Sequence, residues 1–239
     1  MRQIREQKPC RRKRQKKEES MCGRYYVDED MTAEVKRLLR GQSAKEKPDD
    51  RKEEFAAELS AAGYGKKDVC PSDRAWVLLK EDGKITMRFW RWGFPGFGKQ
   101  GGLLINARAE TLLERPVFQA SAKYRRCIIP ARGYYEWNKR REKAAFQKEK
   151  GMPLFLAGIY DLYEGEERFV IVTTEANESV RSTHHRMPLI FEAQDALAWL
   201  EHTENITGLL GREPEELCRE QTYEQISLED CFGGSGFSD

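Results

Sequence analysis

Apolar and polar residues alternate along several short segments of the chain, which is the pattern of half-buried β-strands. The clearest case is a predicted hairpin, in which strands at 75–79 and 85–92 are joined by the turn Glu81-Asp82-Gly83-Lys84. Two further strands are predicted at 154–160 and 168–174. Antiparallel pairing of short strands is therefore the main structural expectation.

Helical periodicity is confined to a few segments. Residues 31–40 place Val35, Leu38 and Leu39 on one face, and the segments 194–202 and 213–220 are predicted C-terminal helices. Residues 41–54 lack apolar periodicity and are expected to form a surface loop or linker.

Polar clusters follow two of the remaining predicted strands. The buried strand 103–105 leads into Asn106-Ala107-Arg108-Ala109-Glu110-Thr111, and strand ends commonly carry pocket residues. The segments 125–130 and 133–137 are predicted to pair around a turn, with Glu136 between aromatic residues. Such a carboxylate is either partly desolvated and suited to proton transfer, or paired with one of the many arginines.

The run RFWRWGFPGFG at 88–98 mixes aromatic and basic residues. It fits strand residues that alternate between core and surface. It also fits a stacking platform for single-stranded nucleic acid, and both interpretations stay open.

Composition separates the N-terminus from the rest of the chain. The formal net charge of +2 divides into +6 for residues 1–20 and −4 for the remainder. We expect residues 1–20 to be a disordered basic extension, followed by one domain at 21–232 and a flexible tail at 233–239. The extension is a nucleic-acid tail, a removable pro-segment or, as we favour, an over-long start assignment with Met21 as initiator.

Cysteine and histidine usage argues against structural metal and against disulfides. The six cysteines contain no CxxC pair, and the three histidines are not spaced with them as zinc ligands. No apolar run approaches the ~18 residues needed to cross a bilayer. We expect a cytoplasmic protein with reduced thiols, no metal and no membrane association.

Two further segments carry candidate chemistry. Cleavage between Met21 and Cys22 would create an N-terminal cysteine, whose amine and thiol can together close a thiazolidine ring on an aldehyde. The alternative is a small buried cysteine. His184 and His185 precede Arg186 in a chain with only three histidines, although His184 alone would also suit a structural role.

Seven short motifs, in this order, resemble the SOS-response-associated peptidase (SRAP) family. They are CGR at 22–24, WGF at 92–94, INARAET at 105–111, RRCIIP at 125–130, GYYEW at 133–137, TTEAN at 173–177 and HHRMP at 184–188. The chain departs from the family pattern in residues 1–20, which are extra, and in His185, where the family often has an acidic residue.

The resemblance implies a single α+β domain built on a curved, barrel-like antiparallel sheet with flanking helices. It implies a cleft for single-stranded DNA and a covalent thiazolidine link between an N-terminal cysteine and the aldehyde of an abasic site, which would shield the lesion. No cofactor is implied, and we expect a monomer that associates with the nucleoid when bound to DNA.

Site roles follow from the same resemblance. Cys22 would be the nucleophile, Asn106 would position it, Glu136 would handle protons, and His184 would assist opening of the sugar ring. The implied DNA contacts are Arg24, Arg108 and Arg186 to phosphates, Trp92 and Trp137 on nucleotides or shaping the pocket, and Thr173. Two alternatives remain: a thiol peptidase that uses Cys22, Glu136 and His184, including on its own chain, and a DNA-binding module without turnover.

Overall fold

A computed structural model describes residues 23–28, 31, 35, 67–96, 101–201 and 206–221. The predictions for the basic extension, the 41–54 linker, the C-terminal tail and Cys22 itself therefore lie outside the described residues. The same holds for most of the predicted 31–40 helix.

Five strands close on one another to form a barrel. They pair in the ring order β12, β4, β3, β8, β11 and back to β12. Every pairing in the ring is antiparallel except that between β12 and β4, which is parallel. The strands are β3 (Arg74–Glu81), β4 (Lys84–Trp92), β8 (Arg126–Ala131), β11 (Leu154–Tyr163) and β12 (Glu166–Glu175).

A second sheet of five strands packs against the barrel through a shared hydrophobic core. Its order is β15, β10, β9, β1, β2, all antiparallel. Tyr25 and Tyr134 from this sheet are fully buried in one cluster with Trp92 and Phe169 from the barrel. The strands are β1 (Tyr25–Val27), β2 (Lys67–Val69), β9 (Gly133–Trp137), β10 (Lys143–Gln147) and β15 (Cys218–Gln221).

Short elements complete the described fold. The remaining strands are β5 (Phe94–Pro95), β6 (Leu103–Leu104), β7 (Asn106–Arg108), β13 (Arg186–Pro188) and β14 (Ile190–Phe191). The helices are α1 (Pro116–Tyr124), α2 (Glu178–Arg181), α3 (Ala193–Leu200) and α4 (Ile206–Leu210), with 3-10 turns at Ala109–Thr111 and Glu149–Gly151. Helices α1 and α3 bury Phe118 and Trp199 in a second cluster with the other face of the barrel sheet.

Two predictions from the sequence are wrong. Strands β8 and β9 are separated only by Arg132, but they do not pair, because β8 joins the barrel and β9 joins the second sheet. Gly133 makes this crossing possible, since a Cβ there would lie 2.4 Å from the Tyr26 hydroxyl. The predicted helix at 213–220 is absent, because residues 218–221 pair as an edge strand with β10.

The fold class is confirmed, since the chain combines antiparallel sheets, a curved barrel and few helices. The predicted β3–β4 hairpin and both strands of the β11–β12 hairpin are present. Among the described residues no helix is long and apolar enough to cross a membrane. Of the described cysteines, Cys70, Cys127 and Cys218 form no disulfide.

Candidate functional site

The C-terminal half of β12 gathers the implied site residues from two other strands. Thr173 is in register with Arg108 of β7 on one side and with Pro188 of β13 on the other. Asn106 lies two residues before Arg108, in register with Ile171, whose side chain belongs to the core between the two sheets. The motifs INARAET, TTEAN and HHRMP therefore meet at one strand end.

Arg186 is held from two sides at this strand end. Its two terminal nitrogens donate to the Glu110 carboxylate at 2.7 and 2.9 Å, and one of them also donates to the Thr173 carbonyl at 2.7 Å. Although burial acts in the opposite sense, this ion pair lowers the pKa of Glu110. Arg186 is thus largely neutralised before any phosphate arrives, and Glu110 is a site residue to which the sequence assigned no role.

The side chains of Thr173 and Arg186 are less accessible than direct DNA contacts require. Thr173 is fully buried, and its hydroxyl lies 3.4 Å from Arg186 Nη2. Arg186 is only 6% exposed. The Thr173 hydroxyl faces the interior beside Arg186, and contact of Thr173 with DNA stays a prediction.

Glu136 and His184 form the most deeply buried titratable pair of the site. Glu136 is 1% exposed, and its Oε1 lies 4.0 Å from His184 Nδ1. The same Nδ1 lies 3.1 Å from both the amide nitrogen and the carbonyl oxygen of Arg186. Nδ1 can therefore accept a hydrogen bond when unprotonated and donate one when protonated, which suits a group that exchanges protons.

Arg24 and Trp137 lie at the outer side of β9. The Arg24 guanidinium sits 5.5 Å from the centre of the Trp137 ring and 3.4 Å from the Asp68 carboxylate. Successive strand side chains point to opposite faces, so Trp137 and Glu136 do not share a face. The Tyr135 amide donates to the Arg24 carbonyl at 2.9 Å, which keeps the chain before β1 alongside β9.

Trp92 is a core residue. Its ring is fully buried between Tyr25 and Phe169, with centroids at 5.3 and 6.4 Å, and its Nε1 donates to the Ile105 carbonyl at 2.9 Å. Stacking of Trp92 on a nucleotide would require this buried ring to become accessible, and it stays a prediction. The alternative role, shaping the pocket, fits because the ring fixes the residue directly before Asn106.

A cavity of about 350 Å³ is lined in part by His185, the residue that follows His184. Arg108 faces it, is exposed, and has no ion-pair partner among the described residues. Arg181 and Glu175 could not be predicted as lining residues of this cavity, because only the fold brings α2 next to β7. The lining residues are Arg108, Glu175, Ala176, Arg181, His185 and Arg186.

The sequence matches the profile of the SOS response associated peptidase (SRAP) family over residues 21–227. The chain is 34% identical over 146 residues to the abasic site processing protein YoaM of Bacillus subtilis, covering 56% of this chain and 64% of that protein. Against YedK of Escherichia coli it is 29% identical over 144 residues, covering 57% and 64%. The chain thus spans less than two thirds of these relatives.

The solved structures agree with this fold. A phage-related protein from Bordetella bronchiseptica superposes with a TM-score of 0.64 at 19% identity, covering 84% of this chain and 94% of that one. A protein from Bacteroides thetaiotaomicron gives 0.59 at 23% identity, covering 80% and 88%. The family profile covers most of the sequence, so the chain belongs to the SOS response associated peptidase family.

Proposed function

We propose that this protein captures abasic sites in single-stranded DNA as a thiazolidine crosslink to Cys22. The observation that carries the proposal is the buried Glu136 carboxylate 4.0 Å from the His184 imidazole. Glu136 lies in β9, the strand that pairs with β1. The relatives named as abasic site processing proteins supply the substrate class.

Gly23, the described residue to which Cys22 is covalently bonded, precedes strand β1. Tyr25 is in register with Tyr134, and the Arg24 carbonyl accepts from the Tyr135 amide, so Gly23 is the next residue toward position 136. Consecutive Cα atoms are about 3.8 Å apart. The reacting residue is therefore attached directly to a segment that runs beside Glu136.

The chemistry needs proton acceptors and donors in sequence. The Cys22 amine adds to the aldehyde carbon, and the carbinolamine oxygen leaves as water after it is protonated, which gives an imine. The thiol then loses its proton, its sulfur bonds to the imine carbon, and the nitrogen takes up a proton to complete the ring. None of these steps is an oxidation or a reduction, so no oxidant or reductant is required. A carboxylate and an imidazole 4.0 Å apart can accept and return each proton.

DNA would be held by cations around the pocket. Arg108 is the strongest candidate for a phosphate, because its guanidinium is exposed and not engaged by a carboxylate of the described residues. Arg24 and Trp137 offer a cation beside an aromatic ring. Asn106 would orient Cys22. Arg186 would contribute mainly by fixing the strand end, since Glu110 already neutralises it.

A second candidate is a thiol peptidase that uses the same Cys22, with His184 as base. The observation that favours it is the His184 imidazole held at Nδ1 by the Arg186 backbone, with the Glu136 carboxylate 4.0 Å away, because an activated thiol needs a positioned base. Removal of residues 1–21 by the protein itself would then precede DNA capture.

The test compares the full 239-residue chain, shown by mass to be uncleaved, with a chain that begins at Cys22. Each is incubated with single-stranded DNA that contains one abasic site, then heated and resolved on a denaturing gel. We expect a heat-stable adduct only from the chain beginning at Cys22, because an internal cysteine has no free amine. An equal adduct from the uncleaved chain contradicts the aminothiol mechanism.

Variants at the buried pair separate chemistry from binding. Glu136→Gln and His184→Ala, in the chain beginning at Cys22, should slow adduct formation by about 10²-fold or more while the Kd for lesion-free DNA changes little. Cys22→Ala is the matched control that keeps the amine and loses the stable adduct. A parallel loss of binding and rate would assign Glu136 and His184 to structure. A fluorogenic peptide assay on the same proteins tests the peptidase.

A further inference from the structure

Three arginines form a row across adjacent strands of the barrel, away from the pocket. Arg74 of β3 is in register with Arg91 of β4, and Arg91 is in register with Arg168 of β12. Residues in register on neighbouring strands point to the same face of a sheet. The three guanidinium groups of this arginine row therefore share one surface.

A single carboxylate forms ion pairs with all three arginines. Glu166 accepts from Arg74 at 2.8 Å, from Arg91 Nε at 2.9 Å to both oxygens, and lies 2.9 Å from Arg168 Nη2. The hydrogen bonds from Arg74 and Arg91 lower the pKa of Glu166, so it is ionised near neutrality. Three cations against one anion leave a net charge of +2 in this set of ion pairs.

This arrangement would be unfavourable if the three arginines served only to stabilise the fold. Like charges directly opposite each other on neighbouring strands destabilise a sheet, and the arginine row contains two such pairs in succession. Arg74 and Arg91 also remain accessible, with 51% and 33% of their side chains exposed. An anionic ligand would relieve the repulsion that Glu166 leaves uncompensated.

An exposed aromatic ring adjoins the arginine row. Trp76 and Phe89 are in register two positions further along the same pair of strands and therefore face the same way as Arg74 and Arg91. Their ring centroids are 5.0 Å apart. Phe89 is 42% exposed. Cations beside an accessible aromatic ring are the combination with which proteins hold single-stranded nucleic acid.

We propose that the arginine row and Phe89 form a second contact surface for single-stranded DNA, with phosphates on the guanidinium groups and a base on the Phe89 ring. The inference rests on the proposed function only in taking single-stranded DNA as the ligand. Arg168 and Thr173 are separated along β12 by ~17 Å at the usual strand rise, so a strand must extend several nucleotides beyond the pocket to reach both.

The test measures the Kd of the full chain for lesion-free single strands of about 6 and about 30 nucleotides by fluorescence anisotropy. The variants are Arg74→Gln and Phe89→Leu, which act on the most exposed guanidinium and on the aromatic ring. Both should weaken binding of the long strand by about tenfold and leave the short strand within twofold. Arg74→Gln should also make the slope of log K against log salt shallower by about 0.7.

Two controls make the outcome specific. Arg212→Gln removes an equally exposed guanidinium that pairs with Asp195 elsewhere on the surface, and it should change neither Kd. Phe89→Trp keeps an aromatic face and should restore long-strand binding. If Arg74→Gln and Phe89→Leu retain the affinity gained with length, the inference is overturned.

The assay contains no abasic site, so its result is independent of the Cys22 chemistry. Long-strand binding can therefore fail in the variants, or persist in them, whether or not the crosslink forms.

Discussion

Replacing Arg126 tests whether a buried cation stabilises this fold. Its side chain is 1% exposed, and its Nε donates to the Trp199 carbonyl at 2.7 Å while Nη1 donates to the Ala122 carbonyl at 3.2 Å. These carbonyls lie near the C-terminal ends of α3 and α1, where backbone acceptors lack partners within the helix. The guanidinium also lies 5.2 Å from the centre of the Trp199 ring. One side chain thus joins two helices to β8.

The magnitude follows from opposing contributions. Burial lowers the pKa of Arg126 from its ordinary value of 12.5 to about 10. At about 1.4 kcal/mol per pH unit this corresponds to a cost of about 3 kcal/mol. Two charged hydrogen bonds return about 1.5–3 kcal/mol each, and a desolvated cation over an aromatic ring about 2. Arg126→Met should therefore lower the free energy of unfolding by about 2–5 kcal/mol.

The sign with pH also follows. Because the folded pKa lies below the unfolded value, the charge costs stability at every pH below about 10, and the cost disappears only as the pH rises toward 12.5. The measured destabilisation should thus be constant between pH 6 and 9.

Urea denaturation monitored by tryptophan fluorescence measures this change. Arg126→Lys should be at least as destabilising as Arg126→Met, because it keeps the buried charge but one ammonium cannot reproduce the planar fork. The control is Arg125→Met, since Arg125 is 33% exposed and its bonds to Asp161, Ser121 and the Tyr160 carbonyl are partly solvated, so their loss should cost less than the loss of Arg126. An Arg126→Met variant as stable as the parent refutes the reasoning, because apolar packing would then replace the cation without loss.

Three further predictions follow from the same structure. Glu110→Gln should lower the Tm above pH 5 and have a diminishing effect as the pH falls through the lowered pKa of Glu110, because protonation then removes the same ion pair with Arg186 in the parent; a pH series of thermal melts checks this, and an effect independent of pH contradicts it. Cys127 is fully buried and burial raises the pKa of its thiol, so mass spectrometry after iodoacetamide treatment at pH 8 should find it unmodified until urea is added. Gly133→Ala should lower the urea midpoint, because its Cβ would lie 2.4 Å from the Tyr26 hydroxyl and 2.6 Å from the Phe146 carbonyl; an unchanged midpoint would show that β1 and β10 can move away from β9 locally at no cost.

The hairpins were predictable because their signals are local. Asp82 and Gly83 both have positive φ, at 49° and 78°, which the turn residues favour and the flanking alternation supports. The pairing of β8 and β9 was predicted wrongly for the complementary reason. Alternation identifies a strand and its two faces, but the partner strand is chosen by contacts distant in sequence. The short edge strand at 218–221 is likewise set by β10, which overrides the local helical preference of its glutamates.

The sequence allowed residues of the candidate site to be proposed, but it did not predict their geometry. Motif order identified Glu136 and His184, whereas their 4.0 Å separation depends on how β9 and β13 lie against β12. The roles of Trp92 and Thr173 could not be read from residue type, because a tryptophan or threonine in a strand serves DNA or core according to the face it occupies. Glu110 lay within a recognised motif, but only the fold brings it to Arg186.

Strand β12 pairs with four others, β4, β7, β11 and β13, and it carries both the barrel closure and the pocket. Its inner residues are fully buried, and the Ile171 amide is bonded to the Ile105 carbonyl. No partial opening frees the central amide protons of this strand without breaking the barrel, so they should exchange with deuterium only through global unfolding. The slow-exchanging amides and the candidate site residues on and beside β12 then belong to one cooperative unit. Any substitution that weakens the fold will loosen the pocket by the same free energy, and long-lived order at the site persists only as long as the whole barrel does.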